Sequence, residues 1–195
     1  MKMTNIVENE RPRYDVLNYI LFFFIFSFCG WIWEVLLHLI DNGQLVNRGV
    51  LIGPWLPIYG TGGIVAIIFL KKLYNKPVST FFLSMLICSI IEYFTSWYLE
   101  VTKGLRWWDY SGYFLNINGR ICLIGSIAFG LICCFVIYIL APKLDCILNR
   151  FNAIIKIILC ITLISLFSFD MIHSKFYPNV GKGVTDYEYK KKSQV

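Results

Sequence analysis

The stretch VLNYILFFFIFSFCGWIWEVLLHLI, Val16–Ile40, holds one acidic residue, Glu34, and no lysine or arginine. A run of that length and polarity satisfies the ~20 apolar residues that cross a bilayer as a helix. Four more runs of similar character follow, Leu51–Leu70, Val78–Val101, Ile121–Ala141 and Ala153–Ile172. They predict an all-α, polytopic membrane bundle of about five transmembrane helices. Composition agrees, since 57% of the residues are hydrophobic and 15% are charged, against about 25% charged in ordinary soluble domains. The expected organisation is a cytoplasmic N-terminal segment (1–15), the bundle (16–172) and a C-terminal tail (173–195), with no second soluble domain. The segment MKMTNIVENERPRYD mixes acids with bases, and the apolar run after it is too long for a cleaved signal. Span one therefore reads as a retained signal anchor.

Orientation follows from the loops. With the N-terminus in the cytosol, the inner segments hold Lys2, Arg11, Arg13, Lys71, Lys72, Lys76, Lys143 and Arg150. The outer loops hold Arg48, Lys103, Arg106 and Arg120. The positive-inside rule favours that arrangement in a cell membrane. Five full spans also place the tail outside, with Lys175, Lys182 and Lys190–Lys192. A fifth segment that only dips into the membrane would return it to the cytosol.

Several chemistries are disfavoured. The basic residues do not line one face, so no nucleic-acid partner is expected. The seven cysteines make no CxxC, and His38 and His173 lie far apart, so neither a metal nor another cofactor is expected. No nucleophile–base spacing stands out.

The polar residues inside the apolar runs are the candidates for function. Glu34 and Glu92 are expected within about two turns of the outer ends of spans one and three. A charge at membrane depth costs about 2.5–3.5 kcal/mol on insertion scales, so it must face protein, water or a counter-ion. Arg48 and Arg120 stand where the following spans begin, and their planar forks suit carboxylate or phosphate. Glu34 is expected to pair with Arg48 or Arg120 and Glu92 with the other, and an internal echo accompanies this: Phe22–Glu34 resembles Phe81–Glu92, and NRGVLIG (Asn47–Gly53) resembles NGRICLIG (Asn118–Gly125). The order predicts a faint parallel two-helix repeat, of a kind that transporters use to build sites between halves.

Two loops add to the picture. NRGVLIGPWLPIYGTGG (Asn47–Gly63) crowds glycines and two prolines around a helix start, which predicts a broken helix whose freed amides can hold an anion. RWWDYSGYFLNINGR (Arg106–Arg120) is expected to fold over the outer mouth as a lid. There Trp107, Trp108, Tyr110 and Tyr113 lie at the interface, while Asp109, Asn116 and Asn118 hydrogen-bond to Arg48, Arg120 or a ligand. All six tryptophans gather toward this outer side. They make either an interfacial belt or the wall of a vestibule.

Together GWIWE, NRGVLIGPWLPIYGTGG, RWWDYS and NINGRICL resemble the ABC-transporter type IV, or CmpB-like, family of bacterial membrane proteins, over roughly Tyr19–Pro142. The resemblance implies a permease-like role and marks Glu34, Asn47, Arg48, Tyr59, Glu92, Trp107, Trp108, Asp109, Asn116, Asn118 and Arg120 as substrate- or ion-binding candidates, none with assigned chemistry. The chain lacks a GxxxxGK[ST] phosphate loop, so an ATPase would be a separate subunit. Expected partners are the lipid bilayer, a small polar solute, ion or lipid headgroup, and further copies of the chain in a homo-oligomer. The alternatives are a membrane enzyme acting on a lipid or lipid-linked headgroup, and a non-catalytic scaffold or sensor whose polar network only supports folding.

Overall fold

The structure is a computed structural model, which describes residues 12–104, 106, 108–181 and 183–184. Within them lie α1 (Val16–Asn42), α2 (Pro57–Leu70), α3 (Pro77–Lys103), α4 (Leu123–Phe135), α5 (Ala141–Leu148) and α6 (Ala153–Phe176). A π-helical turn, Val136–Leu140, joins α4 to α5. Among the described residues, four helices are long and apolar enough to cross a membrane: Val16–Asn42, Pro77–Thr102, Leu123–Leu148 and Ala153–Phe176. The chain is a multi-pass, all-helical membrane protein. Large apolar side chains stand exposed around its girth, among them Phe69, Phe82, Phe94, Phe169 and Ile172. Lipid, not water, is the solvent that accepts such a surface.

Local chemistry sets the ends of the helices. The Asp15 side chain caps α1 by accepting from the Val16 amide at 2.7 Å, and Gly43 closes it in the left-handed region at φ 67°. Gly104 ends α3 in the same way.

Two boundaries differ from expectation. Pro142 was expected to end the fourth span, yet helix continues through it to Leu148. Proline removes one amide donor and collides with the carbonyl four residues back. Here the widened turn makes that room, with the Ala141 amide bonding to the Val136 carbonyl instead.

The second passage is shorter than expected, because α2 starts at Pro57 and not near Leu51. Its 14 residues measure about 21 Å, less than the ~30 Å hydrocarbon core. Leu51–Leu56 is non-helical.

Helix α2 runs antiparallel to α1 at very close range. A Cβ on Gly60 would stand 2.2 Å from Ser27 Oγ, and one on Gly30 would stand 2.2 Å from Tyr59 Cγ. Since α2 thus begins opposite Gly30, near the middle of α1, its first turn opens inside the bundle. Helices α3 and α4 form the second antiparallel pair, with Ser89 and Ser126 hydroxyls 2.7 Å apart. Helix α6 lies along α1. The shared core includes Phe22, Phe26, Ile67, Leu70, Val136, Ile137, Ala141 and Cys160.

Candidate functional site

Helix α1 turns Glu34 toward the opening of α2. Tyr59, in the first turn of α2, donates its hydroxyl to Glu34 Oε1 at 2.5 Å. On its other side Arg48 Nη2 lies 3.6 Å from Glu34 Oε2, and Arg48 Nη1 donates to the Gly183 carbonyl. The loop that carries Arg48 is tightly held. The Trp31 indole donates to Asn47 Oδ1 at 2.6 Å, and Asn47 Nδ2 donates to the Ile52 carbonyl. Asn179 beyond α6 donates through Nδ2 to the Asn47 and Gly49 carbonyls. The C-terminal end of α6, with residues 179–181 and 183–184, therefore lies at the Arg48 end of the bundle. Glu34 and Arg48 side chains are 28% and 12% exposed, so their pair is only partly shielded. A double-mutant cycle of Glu34→Gln and Arg48→Gln in thermal unfolding is expected to give a coupling of about 1 kcal/mol. Additive single effects would remove the pair from the site.

Glu92 is placed differently from Glu34. It lies about three turns inside the end of α3 and is 7% exposed. Its Oε1 accepts from the Tyr110 hydroxyl at 3.1 Å, while its buried Oε2 has no hydrogen-bond partner among the described residues. One of Arg48 and Arg120 was expected to pair with Glu92; Arg48 pairs with Glu34, and Arg120 turns to Glu100 instead. Its Nη1 and Nη2 both lie 2.7 Å from Glu100 Oε2, and its guanidinium stacks over Tyr93 at 5.6 Å. Arg106 joins the same carboxylate at 3.4 Å. The reason is reach. Glu100 stands on the last turn of α3, level with the loop, whereas Glu92 lies two turns deeper, where a phenol projecting from the loop reaches it. Burial first, and the Glu92 carboxylate next, push the Tyr110 phenol above its ordinary value, so it stays protonated and donating. Glu34 also acts, as the weakest influence, on the Tyr110 phenol, so the two carboxylate–tyrosine pairs lie within electrostatic range of each other.

The rest of the long loop is a compact scaffold. The Trp108 indole donates to the Arg120 carbonyl at 2.9 Å. Asp109 accepts from the Ser111 amide and hydroxyl and lies 3.6 Å from Arg106. Asn116 donates to the Ser111 and Tyr113 carbonyls, and Asn118 donates to the Tyr93 hydroxyl. The two asparagines thus brace the loop and do not reach Arg48 or Arg120. Gly119 is required at φ 64°, where a Cβ would meet Asp109 Oδ1 at 2.6 Å. Trp107 lies outside the described residues. Trp33 and Trp97 are about half exposed, as in an interfacial belt. Trp31, Trp55 and Trp108 spend their indole N–H groups inside the protein.

Asp170 was not among the candidates, yet it answers the expectation of an anion at the broken helix. It is 6% exposed on α6. It accepts from the Ile52 amide (3.1 Å), the Gly53 amide (2.8 Å), the Trp55 indole (2.7 Å) and the Ser174 hydroxyl (2.8 Å). The freed amides hold the chain's own carboxylate. A second missed cluster lies at the opposite end. There Lys156, 8% exposed, donates to Asn18 and Asn149, and Asn18 donates to Asp145 at 2.6 Å. Both residues obey the rule that singled out Glu34, a charge inside an apolar run. Each sits near an end of its span, where a polar residue passes for a boundary.

A third feature was legible as spacing. Thr80, Ser84, Cys88, Glu92 and Ser96 recur every fourth residue along α3. All but Cys88 are buried, and the seam they form is continued by α4 and the π turn. Tyr138 donates to Thr80 at 2.9 Å, and the Cys88 and Cys133 thiols lie 3.6 Å apart.

A family model described as "Putative ABC-transporter type IV" matches residues 21–175. The chain belongs to this family. The match extends past the Tyr19–Pro142 stretch whose motifs suggested it and takes in α6 with Asp170. No curated protein and no solved structure matches the chain significantly.

Proposed function

We propose that the protein is the permease-like component of a transport system in the cytoplasmic membrane, handling a small polar solute or ion at the Glu34–Glu92 end. One observation carries this reading: two carboxylate–tyrosine pairs, Glu34–Tyr59 and Glu92–Tyr110, lie within electrostatic range of each other, and Tyr59 stands in the first turn of a helix that starts inside the bundle. Discontinuous helices of that kind build transporter sites, because irregular backbone at membrane depth must face protein or a cavity. In this reading Glu34, Arg48, Tyr59, Glu92 and Tyr110 contact the solute. Asn47, Trp108, Asp109, Asn116, Asn118 and Arg120 hold the loops that frame it. Lys71, Lys72, Lys76, Lys143 and Arg150 turn the opposite end to the cytosol, where a separate ATPase subunit docks against the short connections after α2 and α5.

The test is uptake by everted membrane vesicles energised with ATP, using a panel of a labelled monovalent cation, an amino acid and a short-chain carboxylate. Vesicles carrying the chain are expected to accumulate at least one of them. Glu34→Gln is expected to lower that rate by about tenfold, the effect of about 1.4 kcal/mol of lost stabilisation. Equal uptake with and without the chain across the whole panel would overturn the proposal.

A further inference from the structure

We propose that Glu92 is a proton-binding residue, so that the transport read above is coupled to a proton taken up and released by this carboxyl group. The inference rests on that reading for its purpose, but its chemistry stands on separate observations. Glu92 is buried inside a helix long enough to span the membrane. One of its oxygens is occupied by Tyr110, and the other is buried with no partner among the described residues. Among the described residues, the arginines at this end are engaged elsewhere, Arg48 with Glu34 and Gly183, and Arg120 and Arg106 with Glu100. A carboxylate without a counter-ion in such surroundings is relieved most simply by a proton.

A metal is a poorer occupant. No group of three or more His, Cys, Asp or Glu residues able to hold one exists among the described residues. The titratable groups around Glu92 are themselves proton carriers or anions. Tyr59 on α2, Cys88 on α3 and Tyr110 on the segment before α4 lie within electrostatic range of Glu92, while Glu34 on α1 and Cys122 act on Tyr110. Repeated protonation also needs a route. The α3 seam supplies polar side chains on both sides of Glu92, with Ser96 one turn above it. Cys88 with Cys133, Ser84, and Thr80 with Tyr138 lie below it.

Infrared difference spectra of the purified full chain in lipid nanodiscs, recorded as the pH is stepped, test the assignment without any solute. The wild type is expected to show a protonated-carboxyl C=O band that appears on acidification and is lost in Glu92→Gln. Spectra of wild type and Glu92→Gln with the same carboxyl bands would overturn the proposal. Should Glu92→Gln not yield a helical, monodisperse protein, Tyr110→Phe carries the test. Removal of the phenol donor is expected to displace the band, and an unmoved band overturns the proposal. A band assigned to Glu92 beside vesicles that take up nothing would keep the proton site and reject the transport reading. Uptake without that band would do the reverse.

Discussion

Replacing Asp170 with alanine is expected to cost more stability than any other single truncation in the molecule. The carboxylate accepts from four donors, two backbone amides, an indole and a hydroxyl. Each buried donor left unpaired costs about 1–3 kcal/mol, so the sum is comparable with the 5–15 kcal/mol net stability of a typical protein. Asp170 is 6% exposed, so water has little access to take over the lost bonds. Asp170→Ala is expected to abolish the monodisperse peak in detergent size exclusion. Asp170→Asn, which keeps one carbonyl oxygen, is expected to lower the unfolding temperature without abolishing the peak. An Asp170→Ala protein with wild-type behaviour would show that the Gly53–Trp55 segment is held by something else.

The second large effect is expected at Gly60, with Gly62 as its control. A methyl group on Gly60 would stand 2.2 Å from Ser27 Oγ and 2.5 Å from the Phe23 carbonyl oxygen, while one on Gly62 meets nothing within 4 Å. A backbone oxygen cannot rotate away, so α2 must retreat from α1 and draw Tyr59 away from Glu34. Overpacking of this kind costs about 1–3 kcal/mol. Gly60→Ala is expected to lower the thermal midpoint followed by tryptophan fluorescence. Gly62→Ala is expected to leave it unchanged or raise it slightly, as alanine favours helix. Equal midpoints for the two variants would contradict the close α1–α2 contact.

The membrane bundle was legible because its signal is summed over runs of twenty residues and more. Positions that depend on one residue's surroundings were legible only in part. Pro54 and Pro57 announced a broken helix, yet the length of the break depended on Asp170, 117 residues away from Gly53. Pro142 looked like a terminus because sequence does not reveal that a widened turn will absorb it. Of the expected ion pairs, Glu34–Arg48 joins residues a short loop apart. Arg120 had two carboxylates to choose from on α3, and its choice of Glu100 rests on depth along the helix. Asn116 and Asn118 were read as ligand contacts because polar loops often carry function, whereas the turn geometry of Asn118, at φ 52°, uses them as braces. The four-residue rhythm from Thr80 to Ser96 was open to inspection, but serine and threonine inside an apolar run draw less notice than glutamate.

The grip of Asp170 on Ile52 and Gly53 has a consequence for biogenesis. As the chain leaves the translocon, the first hairpin enters lipid with these amides unanswered and stays incomplete until α6 has been synthesised. The nascent protein therefore cannot mature segment by segment. A ribosome that stalls before α6 leaves a substrate for membrane quality control, and two separately expressed halves must find each other before either one is finished.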